Sequence, residues 1–296
     1  MISSTWVPEN TTVAQLWQRQ VMERGGHEFL VYEDADTSSV ARFTYREFDA
    51  RVNTCANALV ARGVEAGTRV ALYLDNCVEF VECTLALAKM GAIAVPVDAT
   101  SAPCELGRIM GLCEAQMLIT CVNNLGEVLS HLPESVTDIM AVGEGIPGDE
   151  AGAHVPLLSD LRAGASDSFE SNPDGPMDPF EILFTSGTTS CPKGVIITHA
   201  NFVFSGVFVN WELDMNPEDR YMTSMVAARV NLQLSALAPV LTMGATLIML
   251  SRYSATRFWR EAREHRATLV QGMAMIVATL MRQPVDPEER NHQVRE

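Results

Sequence analysis

Short apolar runs rich in β-branched residues alternate with helical patterns along most of this 296-residue chain. Such alternation favours parallel strands joined by helices. We therefore predict an α/β fold with mostly parallel sheets covered by helices on both faces. The predicted strands are Phe29–Tyr32, Arg69–Leu74, Ile93–Val97, Met117–Cys121, Asp138–Val142, Glu181–Thr185, Val195–Thr198, Tyr221–Met225, Ala245–Leu250 and Thr268–Val270. The predicted helices are Tyr45–Arg62, Cys77–Met90, Cys104–Cys113, Leu125–Leu132, Asn201–Trp211, Leu232–Thr242, Ser254–Glu264 and Met273–Arg282.

Residues 144–180 interrupt this alternation, because they are rich in Pro, Gly, Ser, Asp and Glu. Turn-forming residues in such density indicate a surface connection. We predict two α/β subdomains, residues 1–170 and 171–296, joined there. Asp75 and Asn76 are predicted to cap the helix that follows them, and Ser254 the helix that ends at Glu264.

The charge of the chain limits its partners. A net charge of −16 and a pI near 4.8 argue against a nucleic-acid or membrane-surface partner. No apolar run reaches the length of a membrane span, and the N-terminus lacks a secretory pattern. Seven scattered cysteines without a CxxC motif indicate reduced thiols, so we expect a cytoplasmic protein. The six histidines show no metal-ligand spacing.

Residues 185–194 read Thr-Ser-Gly-Thr-Thr-Ser-Cys-Pro-Lys-Gly and lie between two apolar runs that we predict to be buried strands. Five hydroxyls and two glycines stand beside Lys193, one of only two lysines in the chain. Hydroxyls donate to phosphate oxygens, glycines let backbone amides approach a ligand, and lysine supplies a compact positive charge. The loop is not a Walker A motif, because Pro precedes the lysine and a strand pattern follows it. It predicts a phosphate-binding hairpin; the alternative is a flexible Ser/Gly turn.

With this loop in view, the chain resembles the adenylate-forming acyl-CoA synthetase superfamily along essentially its whole length. Four stretches carry the resemblance: Phe43–Phe48, Leu87–Pro96, Thr185–Gly194 and Thr198–Asn201. Residues 74–80, Ser190 and residues 253–259 are similar to the crotonobetaine/carnitine-CoA ligase branch.

The resemblance implies an ATP-dependent acid–CoA ligase, in which a carboxylate attacks the α-phosphate of Mg-ATP and coenzyme A then attacks the acyl-adenylate. It implies ATP, Mg²⁺ and coenzyme A as cofactor and co-substrates, beside a small carboxylic acid. The residues that it places at the β- and γ-phosphates are Thr185, Ser186, Gly187, Thr188, Thr189, Lys193 and Gly194. Thr188 is also a weak candidate ligand for the metal.

The chain departs from the family pattern at residues 225–233, where relatives carry a proline, an aromatic residue and a histidine that line the acyl pocket. The predicted pocket residues here are Val226, Arg229, Gln233 and Met273. Arg229 would pair with an acidic or carboxylate group, or be solvated at a strand end. A third reading is relaxed selection on an inactive copy. We expect the methionine cluster at 273, 275 and 281 to pack in the core of an apolar helix; the alternative is that it lines an acyl pocket, for which Met273 is the candidate.

A second departure concerns motifs that the family carries further along the chain. The Tyr-Gly-x-Thr-Glu and Thr-Gly-Asp motifs and the domain with the catalytic lysine are absent from this sequence. We therefore expect no catalytic residue here, a truncated portion that does not complete adenylation alone, and exposed apolar edges that favour a homodimer or other association. The alternative function is a non-catalytic binding or partner protein on the same scaffold.

Overall fold

The six-stranded sheet forms the centre of the fold in a computed structural model that describes residues 10–145, 155–172, 175–185, 192–285 and 287–295. Its strand order is β6-β5-β3-β4-β7-β8, and every pair is parallel except β7 with β8. These strands are β3 (Arg69–Leu74), β4 (Ile93–Asp98), β5 (Met117–Cys121), β6 (Asp138–Val142), β7 (Pro179–Thr185) and β8 (Lys193–Thr198). The predicted α/β class with mostly parallel strands is confirmed.

A five-stranded sheet lies beside the first, in the order β11-β9-β10-β1-β2. Only the pair β1–β2 is antiparallel within it. Its strands are β1 (Glu28–Glu33), β2 (Val40–Thr44), β9 (Arg220–Thr223), β10 (Thr246–Leu250) and β11 (Leu269–Val270). Each sheet contains strands from both sides of residue 170. The division into two subdomains, residues 1–170 and 171–296, stays a prediction.

Helices flank the two sheets. The helix α3 is buried on all sides, since twelve of its thirteen residues are buried. The helices are α1 (Val13–Arg24), α2 (Tyr45–Ala61), α3 (Val78–Met90), α4 (Pro103–Cys113), α5 (Leu125–Val128), α6 (Leu158–Arg162), α7 (His199–Glu212), α8 (Val230–Leu232), α9 (Ala238–Met243), α10 (Phe258–Glu264) and α11 (Ala274–Leu280). Among these helices none combines the length and apolarity needed to cross a membrane.

Several local predictions were wrong, among them both predicted helix caps. Neither Asp75 nor Asn76 caps α3, whose N-cap is Cys77 without a side-chain hydrogen bond. Ser254 likewise does not cap α10, whose N-cap is Arg257. The predicted helices at 125–132 and 232–242 are each broken into shorter segments, the second by a π-helical segment from Gln233 to Leu237. The sequence patterns also missed α1, β2 and α6.

The strand β8 is not buried as predicted, because it forms the edge of the six-stranded sheet. Val195 and Ile196 on this strand are 46% and 58% exposed. By contrast, Phe180 and Glu181 on its partner β7 are fully buried. The hairpin therefore pairs an interior strand, β7, with the exposed edge strand of the sheet, β8.

Candidate functional site

The β7–β8 hairpin holds the ends of the predicted phosphate-binding loop next to each other. Thr185 is the last residue of β7 and is paired with Lys193, the first residue of β8. Both side chains are exposed, so both can reach a ligand beyond the end of the sheet. Residues Ser186 to Cys191, which include the predicted Ser186, Gly187, Thr188 and Thr189, lie outside the described residues.

Gly194 has a packing reason to be glycine. A Cβ at this position would lie 2.9 Å from Cγ2 of Ile182 and 3.1 Å from Cζ of Phe184. The residue is on the strand opposite Phe184 and lacks the left-handed φ that favours glycine. Close packing of the hairpin therefore accounts for Gly194, and its predicted contact with phosphate stays a prediction.

The far end of β8 is fixed by a capping box at the start of α7. The hydroxyl of Thr198 accepts from the backbone N–H of Asn201 at 3.2 Å, and the Asn201 side chain accepts from the backbone N–H of Thr198. His199 is buried, and its Nδ1 accepts from the backbone N–H of Val13 at 3.2 Å. Burial lowers the pKa of His199 to about 4, although Asp178 acts in the opposite direction, so its imidazole is neutral at pH 7.

An apolar cavity of about 680 Å³ opens beside the hairpin. Its walls come from both strands of the hairpin, from residues 224–231 and from α11. The predicted pocket residues Val226, Arg229 and Met273 line it, whereas Gln233 does not. Methionines and a tyrosine form much of the remaining wall: Met225, Met275 and Tyr253.

Gln233 is fully buried at the start of the π-helical segment. Its Nε2 donates to the carbonyl oxygen of Ala227 at 3.0 Å, so the side chain stabilises the loop that carries the cavity wall. The methionines at 273, 275 and 281 are 46%, 59% and 82% exposed, so the prediction that they pack in the core was wrong. Met273 and Met275 line the cavity.

A second, smaller cavity of about 50 Å³ is polar and adjoins the first. Asp98, Ser101 and Glu105 line it on the side of β4 and α4. Thr185 and Arg229 line both cavities, so they mark the place where the two meet. A ligand with an apolar part in the larger cavity would therefore have its polar end beside the hairpin that is predicted to bind phosphate.

Arg229 has an acidic partner at this junction. Its Nε and one of its terminal nitrogens donate to Oδ2 of Asp98 at 2.9 and 2.6 Å. The other carboxylate oxygen of Asp98 accepts from the backbone and the hydroxyl of Thr100. Burial alone would raise the pKa of Asp98, but Thr100 and Arg229 hold it below its usual value. The Arg229 side chain is still 56% exposed, so it can meet a ligand as well.

Asn76 positions the loop that carries Arg229. Its Nδ2 donates to the carbonyl oxygens of Met225 and Leu250 at 2.8 and 3.0 Å, and its Oδ1 accepts from the backbone N–H of Ala227 at 2.7 Å. One buried side chain thus links the end of β3 to the end of β10 and to the cavity wall. The prediction that Asn76 caps a helix was wrong, because its partners lie about half the chain away and leave no local pattern.

The AMP-binding enzyme family matches residues 17–295. The chain belongs to this family. It is 36% identical over 286 residues to the crotonobetaine/carnitine–CoA ligase of Salmonella enteritidis, covering 95% of this chain and 54% of that protein. The corresponding ligase of Citrobacter koseri is 35% identical over 285 residues. The chain thus spans about half the length of the curated relatives that it matches.

Solved structures of AMP-binding enzymes share the fold. The anthranilate CoA ligase AuaEII in complex with anthranoyl-AMP has a TM-score of 0.83 at 21% identity, covering 97% of this chain and 54% of that one. The inhibitor-bound N-terminal domain of FACL13 from Mycobacterium tuberculosis has a TM-score of 0.79 at 27% identity, covering 94% of this chain and 66% of that one. The two sheets and their helices are therefore the arrangement of acyl-CoA ligase N-terminal domains.

Two acidic residues near the site, Asp98 and Glu181, were not among the predicted site residues. Asp98 comes directly after the predicted strand Ile93–Val97 and is the last residue of β4, and nothing in the sequence pattern connects it with Arg229, 131 residues away. Glu181 did leave a signal, because a carboxylate in the run Phe180–Phe184 is foreign to a buried strand. Within the part of the chain that the structure describes, no three His, Cys, Asp or Glu side chains form a metal-binding group.

Proposed function

We propose that this chain supplies the phosphate-binding hairpin and the acid-binding cavity of an ATP-dependent acid–CoA ligase. The observation that carries the proposal is the junction of the two cavities at Thr185 and Arg229. An acid whose apolar part fills the larger cavity has its carboxylate at the hairpin, next to the triphosphate. Adenylation requires this proximity, because the carboxylate oxygen must reach the α-phosphorus.

The reaction has two group transfers. A carboxylate oxygen forms a bond to the α-phosphorus of ATP while the bond to the leaving pyrophosphate breaks. The sulfur of coenzyme A then bonds to the acyl carbon, AMP leaves, and the thiol proton is released. Donors directed at phosphate oxygens stabilise the charge that develops in the first transfer.

The residues at the hairpin fit a phosphate ligand by their chemistry. The Lys193 ammonium and the Thr185 hydroxyl are both donors, and both side chains are exposed. Because the chain carries a net charge of −16, these local groups have to hold the anion against the overall field. Mg²⁺ bound with the nucleotide would neutralise phosphate charge, with Thr188 as the proposed protein ligand.

The finer proposal concerns the acid. Relatives named for crotonobetaine and carnitine suggest a small carboxylic acid that carries a trimethylammonium group. Val226, Arg229 and Met273 are the proposed residues of its cavity, and Gln233 supports the loop behind them.

Calorimetric titration with Mg-ATP tests the nucleotide site on this chain. We expect Lys193→Ala to weaken Mg-ATP binding about tenfold or more, because a charge-assisted hydrogen bond to phosphate is lost. Arg252→Ala is the matched control, since it removes one exposed positive charge from a surface pair with Asp36. Its affinity should equal that of the unaltered chain.

Two results would contradict the proposal: no binding of Mg-ATP to the unaltered chain, or equal binding by the Lys193→Ala variant. Binding without release of pyrophosphate, after a candidate acid and coenzyme A are added, is what the non-catalytic alternative predicts.

A further inference from the structure

Glu181 is a carboxylate inside the six-stranded sheet. Its side chain is fully buried, and neither carboxylate oxygen has a hydrogen-bond partner among the residues that the structure describes. The strand neighbours offer none, because Glu181 lies beside Ala94 on β4 and opposite Ile197 on β8. A buried carboxylate without partners is costly, and in native proteins such a group calls for an explanation.

The row of side chains that contains Glu181 leads into the apolar cavity. Side chains two residues apart on a strand share a face, so Glu181 is on the same face as Leu183 and Thr185. Leu183, Thr185 and Ile197 all line the cavity. Glu181 does not itself line it, but it is paired across the hairpin with Ile197 and is two residues from Leu183 on β7, and both of these residues do line it.

The two ends of this row differ in charge. At the Thr185 end the cavity is lined by Arg229, a cation that suits a carboxylate. At the other end stands Glu181, for which burial is the only cause that raises the pKa, to about 8. A ligand with a carboxylate at one end and a cation at the other would complement both groups.

We propose that Glu181 is the counter-ion for a quaternary ammonium group on the acid that occupies this cavity. The proposal rests on the proposed function, and it names the residue that selects a cationic acid over a neutral one. The ammonium reaches the carboxylate by displacing the side chains of Leu183 and Ile197.

The wall of the cavity favours a quaternary over a primary ammonium group. A quaternary ammonium has no N–H to satisfy, so it can lie against apolar side chains without leaving a donor unpaired. Aromatic rings attract such cations, and Tyr253 and Phe184 both line the cavity. The methionine side chains at 225, 273 and 275 are polarizable and adapt to the shape of a ligand.

A pair of isosteric acids tests the proposal by calorimetry on this chain. The cationic probe is 4-trimethylammoniobutanoate, and 5,5-dimethylhexanoate is its neutral counterpart, with carbon in place of nitrogen. The unaltered chain should bind the cationic probe at least about tenfold more tightly, and Glu181→Gln should abolish or reverse this preference. Glu264→Gln is the matched control, because it removes the same charge from an exposed position and should leave the ratio unchanged.

Proton release gives a readout that a merely structural role of Glu181 would not produce. At pH 7 the protonated carboxyl would lose its proton to solvent when the cation binds, since ion pairing lowers its pKa. Titrations in buffers of different ionisation enthalpy should therefore show release of about one proton per cationic probe, and none in the Glu181→Gln variant.

Equal affinity for the two probes, no binding of the cationic probe, or an unchanged ratio in the Glu181→Gln variant would each overturn the assignment. Mg-ATP binding separates this result from the proposed function. It depends on Lys193 and should be the same in the unaltered chain and in the Glu181→Gln variant.

Discussion

The chain has two lysines, and each lies in a region with a fully buried glutamate: Lys89 and Glu82 on α3, Lys193 and Glu181 on the β7–β8 hairpin. On α3 both charges are paired. Lys89 donates to Asp49 at 3.1 Å, and Glu82 accepts from Arg51 and Arg162. On the hairpin neither is paired, because Lys193 is exposed without an ion pair among the described residues and Glu181 is buried without a partner.

The charges on α3 stabilise the fold through ion pairs. The charges on the hairpin are those that we propose to bind a ligand. The α3 network connects three parts of the chain, since Arg51 comes from α2 and Arg162 from α6. Burial raises the pKa of Glu82 to about 7, although both arginines lower it. Glu82 has two arginine partners inside the protein. Glu181 has none among the described residues, and we propose that a cationic ligand supplies its partner.

The largest expected effect is on the pH dependence of stability at Glu181. A folded-state pKa of about 8 against 4.5 means that the folded chain binds more protons between these values. The free energy of unfolding therefore falls as pH rises through this window, by about 5 kcal/mol for this group. The Glu181→Gln variant has no carboxyl to titrate at this position. Its free energy of unfolding, relative to that of the unaltered chain, should therefore rise by about 5 kcal/mol between pH 4 and pH 9.

Urea denaturation at the two pH values measures this gain directly. The same comparison cancels the contribution of Glu82, because both chains retain that residue. An equal difference between the two chains at both pH values would show that Glu181 has a partner in solution, and the contrast with α3 would disappear.

The next effect is a loss of stability at the paired lysine. Lys89 is 1% exposed, and Lys89→Met would leave Asp49 without its cation. Removing one partner of a buried ion pair costs about 3–5 kcal/mol. Lys193→Met is the matched control, since the same change on the exposed end of β8 should stay within about 0.5 kcal/mol. Similar losses in the two variants, measured by urea denaturation at pH 7, would contradict the comparison.

The sequence predicted the fold best where a run of side chains is buried on both faces. Such runs define β3 and β5 to the residue, because parallel strands covered by helices are apolar throughout. For β8 the sequence predicted the strand but not its exposure, because its apolar side chains Val195 and Ile196 are exposed at an edge. An apolar run in the sequence predicts that a strand forms, but it does not show whether other elements bury the side chains of that strand.

For the site, the sequence could identify the hairpin but not its surroundings. The hydroxyls and lysine of residues 185–194 are contiguous, so their shared chemistry is visible in the chain. The cavity wall, by contrast, joins Val226 to Met273 across a large separation, and its loop depends on Asn76. Long-range hydrogen bonds of this kind carry no local pattern, which is why Asn76 was assigned to the wrong role.

The smallest expected change in stability concerns Arg229, which has an ion-pair partner like Lys89 and is exposed like Lys193. It is paired with Asp98, yet its side chain is 56% exposed, so Arg229→Gln should destabilise the chain by only about 0.5–1 kcal/mol at pH 7. The pKa of Asp98 lies below 3.8, so this contribution is present above that pH and is lost as the pH falls through the lowered value.

Acid binding should respond much more strongly than stability to the loss of Arg229. If its guanidinium receives the carboxylate, Arg229→Gln weakens binding of 4-trimethylammoniobutanoate about tenfold or more, because a charge-assisted hydrogen bond is lost. Arg252→Gln should change neither quantity, since both members of its pair with Asp36 are exposed. A stability loss in Arg229→Gln without a change in acid affinity would place Arg229 with Lys89, as a residue that holds the fold. The cavity would then retain a charge only at the Glu181 end, and the complementarity to a zwitterion would be lost.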